Sequence, residues 1–161
     1  MHFNITMQGV VNTINTLNDF LLIGGKFNYI YVRYKNCVKR LETTSNTEVV
    51  KIINDDKDVF LAAFDNGQLL QFKIVHNDKE FFFDNYRIIF TNLVPIRSVI
   101  YDNFLESYYI ATVNSITMWS KKLIKILNLE KLRGAPSSLA LDKQTNKLFS
   151  SNTNGLVQIW T

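Results

Sequence analysis

Short apolar runs recur along the chain, separated by polar turn residues. Phe20–Ile23, Tyr29–Val32, Val59–Phe64, Tyr108–Ala111 and Leu156–Trp160 are each of strand length. They are rich in β-branched and aromatic residues, which suit a pleated, half-buried surface. The breaks between runs are turn-forming: Asn18-Asp19, Asn54-Asp55-Asp56-Lys57-Asp58, Asp102-Asn103 and Asp142–Asn146. Within the runs, Ile30 and Val32, Ile116 and Met118, and Val157 and Ile159 stand two residues apart. A period of two places each pair on one face of a strand. Helical periodicity is weak. Lys121–Leu132 is the best helical candidate, but Leu123, Ile126 and Leu129 form no clean stripe, and Leu-Ile-Lys-Ile-Leu reads equally well as a strand. The pattern predicts an all-β protein.

The runs belong to a repeat. Val11–Tyr34, Val49–Lys73, Ile96–Ser120 and Ser137–Thr161 can be laid over one another. Each begins with a short strand and a polar turn. Each continues with an apolar strand ending in small residues: Leu22-Ile23-Gly24-Gly25, Leu61-Ala62-Ala63, Ile110-Ala111-Thr112 and Phe149-Ser150-Ser151. A tight turn led by Asn or Gly follows, because such turns need positive φ. An alternating strand closes the repeat, ending at Arg33, Phe72, Trp119 or Trp160, spaced 39, 47 and 41 residues apart. The second repeat breaks the alternation with Gln71.

These segments resemble the WD40 repeat family, whose repeat of about 40–45 residues makes one four-stranded blade. The resemblance covers nearly the whole chain. The fourth segment matches best, through Ser137–Asp142, Lys147–Ser151 and Asn154–Thr161, and the third is next. The Gly-His and Trp-Asp dipeptides of the family are missing, and Trp119 and Trp160 are not followed by Asp. The resemblance implies a WD40-like β-propeller of four blades of antiparallel four-stranded sheet, in one domain over residues 1–161. The blades fall at about 9–43, 47–91, 95–130 and 135–161. Cys37–Leu41, Phe81–Phe90 and Leu123–Leu127 serve as outer strands. The fourth blade lacks one after Thr161. The N-terminus offers Phe3, Ile5 and Met7 alternating with polar residues, so residues 2–8 are expected to complete that blade, as terminal strands commonly do in this family. Four blades leave three arrangements open: a closed four-bladed ring, two copies joined as an eight-bladed ring, or part of a larger propeller.

Composition narrows the function. Hydrophobic residues make up 47% and charged residues 20%, which is ordinary for a folded domain rather than a disordered one. The net charge of +4 lies in the second half: residues 1–80 hold nine basic and nine acidic side chains, residues 81–161 nine and five. That excess permits an acidic partner such as RNA without demanding one. Cys37 is the only cysteine, so no internal disulfide or Cys-x-x-Cys metal knuckle forms. No signal-peptide pattern opens the chain and no apolar stretch spans a membrane. A cytoplasmic or nuclear location is expected, not a secreted one.

No catalytic constellation emerges. His2 and His76 are far apart in sequence, with no cysteine cluster or nucleophile partner. The carboxylates at Asp55, Asp56 and Asp58 lack calcium-loop spacing. Gly24-Gly25-Lys26 lacks the rest of a phosphate loop and reads as a turn. No catalytic, cofactor-binding or metal residue is assigned, and no small-molecule substrate is evident. Candidate contacts with a partner are Phe81, Phe82 and Phe83, because three consecutive aromatics cannot all face one side of a strand. Lys26, Phe27, Lys131 and Arg133 join them. The resemblance would place these four on one mildly basic propeller face, with the turns at Asp55, Asp102, Glu106 and Asp142 on an acidic opposite face. The expectation is a protein-interaction scaffold or complex subunit, bound to another protein chain or to itself. The alternative is a ribonucleoprotein subunit using the basic C-terminal half.

Overall fold

The computed structural model describes residues 2–43, 47–55, 57–91 and 94–161. Four antiparallel sheets stand as blades around a common axis, forming a four-blade β-propeller with no helix among the described residues. Blade 1 is β1 (Val11–Leu17), β2 (Phe20–Gly25), β3 (Tyr29–Tyr34) and β4 (Cys37–Glu42). Blade 2 is β5 (Val49–Asn54), β6 (Val59–Phe64), β7 (Gln68–His76) and β8 (Phe81–Phe90). Blade 3 is β9 (Ile96–Asp102), β10 (Ser107–Thr112), β11 (Ile116–Ser120) and β12 (Lys125–Asn128). Blade 4 is β13 (Pro136–Asp142), β14 (Lys147–Asn152) and β15 (Val157–Trp160). Strands in each sheet follow chain order, and the first strand of each blade lies innermost, β1 beside β5, β5 beside β9 and β9 beside β13.

Local sequence explains the turns. Asn18 and Asp19 both take positive φ, 49° and 68°, which makes the two-residue turn from β1 to β2. Gly67 and Gly155 hold φ of 86° and 85° in the hairpins before β7 and β15. Gly24 serves a different need. A Cβ there would stand 2.6 Å from Val49 Cγ1, so the glycine lets blade 2 approach blade 1. Leu123 and Lys131 have φ of 59° and 61° on either side of β12, so the Lys121–Leu132 segment is a hairpin and strand rather than a helix.

Each blade carries the same irregularity. The pairing of its first two strands shifts just before Thr13, Lys51 and Ser138, and beside Ser98 in blade 3. This β-bulge fixes which residues are equivalent from blade to blade. Apolar cores then fill the joints. Phe20, Leu22, Ile30 and Val32 of blade 1 meet Ile52, Phe60, Phe72 and Phe81 of blade 2. Leu61 and Leu69 of blade 2 meet Val99, Tyr108 and Ile110 of blade 3. Ala111 and Ile116 of blade 3 meet Leu139 and Leu148 of blade 4. Among the described residues, no buried cluster joins blade 4 to blade 1.

One expectation needs correction. The sheet of blade 4 has three strands, and residues 2–7 form no strand beside it. They lie along blade 1 instead. Met7 packs on Ile23, Phe27 and Tyr29, and the Arg33 guanidinium sits 4.5 Å from the Phe3 ring centroid. Blade 1 offers these side chains an apolar and cationic surface. Trp119 and Trp160 are half-buried. Each spends its indole N–H within its own blade, on Thr117 Oγ1 at 2.7 Å and Ser150 Oγ at 3.0 Å.

Candidate interaction surfaces

The residues singled out from sequence lie in three separate places. Strand alternation decides the fate of the aromatic triplet on β8. Phe81 faces blade 1 and is fully buried, with its ring centroid 5.5 Å from that of Phe20 and 5.7 Å from that of Phe83. Phe83 packs against the same core. Phe82 points the other way and is 51% exposed. Its cross-strand partner is Val75, also exposed. Lys39 of blade 1 reaches across, its Nζ 4.3 Å from the Phe82 centroid and donating to Phe81 O at 2.5 Å. Phe82, Val75 and Lys39 therefore make an apolar, cation-flanked patch on the outer rim. Phe81 belongs to the core and is not part of it.

Lys26 and Phe27 sit at one end of the propeller, in the β2–β3 turn. The Lys26 N–H donates to Val10 O at 2.8 Å, and its Nζ lies 3.8 Å from Glu48 Oε2. Phe27 is buried against Tyr29, centroids 4.8 Å apart, which removes it from any contact surface. Lys131 and Arg133 lie in the connection to blade 4. Their backbones are held by one side chain: Gln158 Nε2 donates to Lys131 O at 3.1 Å, and Arg133 N–H donates to Gln158 Oε1 at 2.7 Å. Asn152 Nδ2 also donates to Arg133 O. Both cationic residues are outside the core, on a braced loop.

The segregation of charge between the two ends does not hold. An antiparallel four-stranded blade puts two hairpin turns at the same end, so the β3–β4 type turns bring lysines beside the acids of the β1–β2 type turns. The Lys121 N–H donates to Glu106 O at 3.1 Å, and Lys121 Nζ meets Asp55 Oδ2 at 3.0 Å. Lys73 pairs with Asp58 at 3.2 Å. The other end mixes Lys26 with Glu48 and Asp65.

A cleft at the acid-bearing end, between blades 2 and 3, went unnoticed in the sequence. Val59, Gln71, Phe72, Lys73, Arg87, Lys121 and Lys122 line it. Gln71 is its keystone, and its break in the apolar alternation was the available signal. Gln71 Nε2 donates to Lys121 O at 2.8 Å and to the Tyr108 hydroxyl at 3.4 Å, binding the two blades. Arg87 Nη1 donates to Lys122 O. Behind the cleft, burial of Asp55 works to raise its pKa. The N–H groups of Lys57 and Val59 and the Lys121 ammonium outweigh it, so the carboxyl stays below the usual carboxylate range. Burial pushes the Tyr108 hydroxyl up to about 12, so it remains a neutral hydrogen-bonding group. The cleft holds a bridging amide with an ion pair behind it, and no nucleophile–base pair among the described residues. Among the described residues no group of three or more His, Cys, Asp or Glu could hold a metal, and no helix is long and apolar enough to cross a membrane.

No protein-family model matches the chain, and no curated protein matches it by sequence. Solved structures do. The WD40 β-propeller domain of Doa1 superposes with a TM-score of 0.76 at 12% identity, over 97% of this chain and 52% of that one. The Cps50 (Swd1) β-propeller domain of Myceliophteria thermophila gives 0.73 at 11%, over 93% and 50%. The computationally designed Ika4 protein gives 0.73 at 11%, over 96% and 92%. The chain thus spans about half the length of the two WD40 domains and nearly all of Ika4. Identities this low establish fold alone: the chain is a four-blade β-propeller similar in structure to WD40 propeller domains.

Proposed function

We propose that this protein is a non-catalytic interaction module, a scaffold or subunit that binds another protein through its exterior. The observation that carries this reading is the rim patch of Phe82, Val75 and Lys39. An exposed aromatic, paired across the strand with an exposed valine, is the kind of surface that contact with a partner desolvates. A rigid propeller needs no moving parts to present it. Similarity to WD40 domains supports the same class of role by analogy of fold.

The RNA reading is less well supported. Two of the four cations lining the cleft, Lys73 and Lys121, already pair with Asp58 and Asp55. Phosphate binding draws on cations free to release counterions, and the neutralised pairs contribute little.

The test is a native pull-down from the source organism with the intact chain and with a Val75→Ser, Phe82→Ser double variant, read by mass spectrometry. A partner recovered in stoichiometric yield with the intact chain and lost with the variant supports the rim reading. A partner retained by the variant places binding elsewhere. Recovery of nuclease-sensitive, salt-sensitive RNA in its place would establish the alternative.

A further inference from the structure

The joints between blades follow one rule, and the rule leaves two faces unmatched. In each blade, one face looks forward to the next blade and the other looks back. On the forward face of the third strand stand Ile30 and Val32 in blade 1 and Ile116 in blade 3, all fully buried by the following blade. The same positions in blade 4 are Val157 and Ile159, 60% and 59% exposed. On the backward face of the first strand, the residue after the bulge position is Ile52 in blade 2, Val99 in blade 3 and Leu139 in blade 4, at 1%, 1% and 7%. Its equivalent in blade 1 is Ile14, 63% exposed.

The polar part repeats at two of the three joints, the equivalent position in blade 2 being Lys51. Ile52 N–H donates to Thr13 Oγ1 at 3.1 Å, joining blade 2 to blade 1, and Leu139 N–H donates to Ser98 Oγ at 3.3 Å, joining blade 4 to blade 3. Thr13 and Ser98 occupy one register position, whose counterpart in blade 4 is the exposed Ser138. Blade 4 thus ends in the hydroxyl and apolar pair that accept a following blade. Blade 1 begins with the apolar side chain and backbone position that a preceding blade receives.

We propose that a second copy of this chain closes the ring, the forward face of blade 4 of each copy packing on the backward face of blade 1 of the other. Val157, Ile159 and Phe149 then cover Ile14, and Ser138 Oγ accepts the Ile14 N–H. The occupant is a copy because the missing joint is the one the chain already makes three times within itself, and each copy supplies both of its halves. The length fits. The chain superposes on about half the length of each of two WD40 propeller domains, so two copies together supply about the length of one such domain. A twofold axis along the channel then brings eight blades together and leaves neither of these two blade faces uncovered. The faces concerned lie apart from the rim patch, so this assembly stands or falls independently of the partner proposed above. Residues 3–7 now cover the β2–β3 part of the same backward face, through Met7 and Phe3, and must swing aside as the copies join.

Sedimentation velocity of the full chain over a concentration series tests this, with Ile159→Lys and Ile14→Glu as variants. Both positions are exposed in the single chain, so each variant should melt like the original, which circular dichroism checks. The original should move from 18.7 kDa to twice that mass as concentration rises. Either variant alone buries one charge at both joints and should dimerise at least ~10-fold more weakly, equivalent to about 1.4 kcal/mol. Mixed in equal amounts, the two variants should recover the dimer, because one joint is then unaltered and the other pairs Lys with Glu. An original that stays monomeric up to its solubility limit overturns the proposal and leaves the two faces to blades of different sequence. Dimers that survive the single variants, or a mixture no better than either alone, overturn the joint assigned here.

Discussion

Blade 2 and blade 4 are built on the same repeat and live in opposite surroundings. Blade 4 fits the WD40 sequence pattern best, yet its forward side chains Val157 and Ile159 meet solvent and its sheet has three strands. Blade 2 fits less well, with Gln71 where the pattern asks for an apolar residue, yet it is packed on both faces. Phe60, Phe72 and Phe81 fill its joint with blade 1, and Leu61 and Leu69 its joint with blade 3. Burial is set by a blade's place in the array and not by the quality of its repeat. A residue of given type at a given register position is core where a neighbouring blade covers it, and surface where none does.

Substitution should expose the contrast. The largest expected effect is in blade 2: Phe72→Ala should cost roughly 3–5 kcal/mol, the usual range for emptying a buried aromatic site. Urea denaturation followed by circular dichroism measures it. A loss below about 1 kcal/mol would mean that the blade 1–blade 2 joint is far looser than its packing indicates.

Next comes the ion pair at the joint of blades 2 and 3. Asp55→Ala removes the carboxylate facing Lys121 and the acceptor of the Lys57 and Val59 N–H groups, and should cost about 3 kcal/mol. Its pH dependence follows in sign. The folded state holds this carboxyl below its ordinary value, so it binds fewer protons than the unfolded state. Its contribution is present above the unfolded pKa near 3.8 and is lost as pH falls through the folded value. In melts taken across that acid window, Asp55→Ala should lose less stability than the original. Parallel curves would show that another carboxylate governs the acid limb.

The sharpest comparison uses one register position twice. Val32→Ala in blade 1 should cost about 2 kcal/mol, because blade 2 covers it. Ile159→Ala in blade 4 should change the stability of the single chain by less than about 0.5 kcal/mol. Equal losses at both sites would mean that blade 4 is covered in solution. The second copy proposed above would produce that result, and the difference should then reappear on dilution.

The smallest effect is expected at the rim. Phe82→Ala should leave stability within about 0.5 kcal/mol, since the side chain is half exposed and stands outside the cores. Its loss should show in partner recovery and not in the melt.

Much of this was legible along the chain. Alternation at Ile30/Val32, Ile116/Met118 and Val157/Ile159 marked the strands, and the Asn- and Gly-led turns marked their hairpins, since period two and positive φ are local properties. The recurrence of that unit implied blades. The interaction surface was harder to read. The Phe81–Phe83 run announced that one side of a strand must differ from the other, but which ring reached solvent depended on the register of β8 against β7. Gln71 stood out only as an error in the pattern. Its purpose lay in Tyr108 and Lys121, 37 and 50 residues away. The terminal strand was misread for a related reason. Phe3, Ile5 and Met7 alternate as a strand would, but alternation records which side chains are apolar and not which surface receives them.

Local conformation is written in the chain: strands where β-branched and aromatic residues alternate, turns where Asn, Asp and Gly tolerate positive φ, and a repeat that cannot bury its faces alone. Which faces are covered follows from the packing of one blade on the next. The joints form between residues about forty positions apart, such as Thr13 with Ile52 and Ser98 with Leu139. Whether an apolar side chain there is core or surface depends on how many blades follow it round the axis, a quantity written in no single repeat.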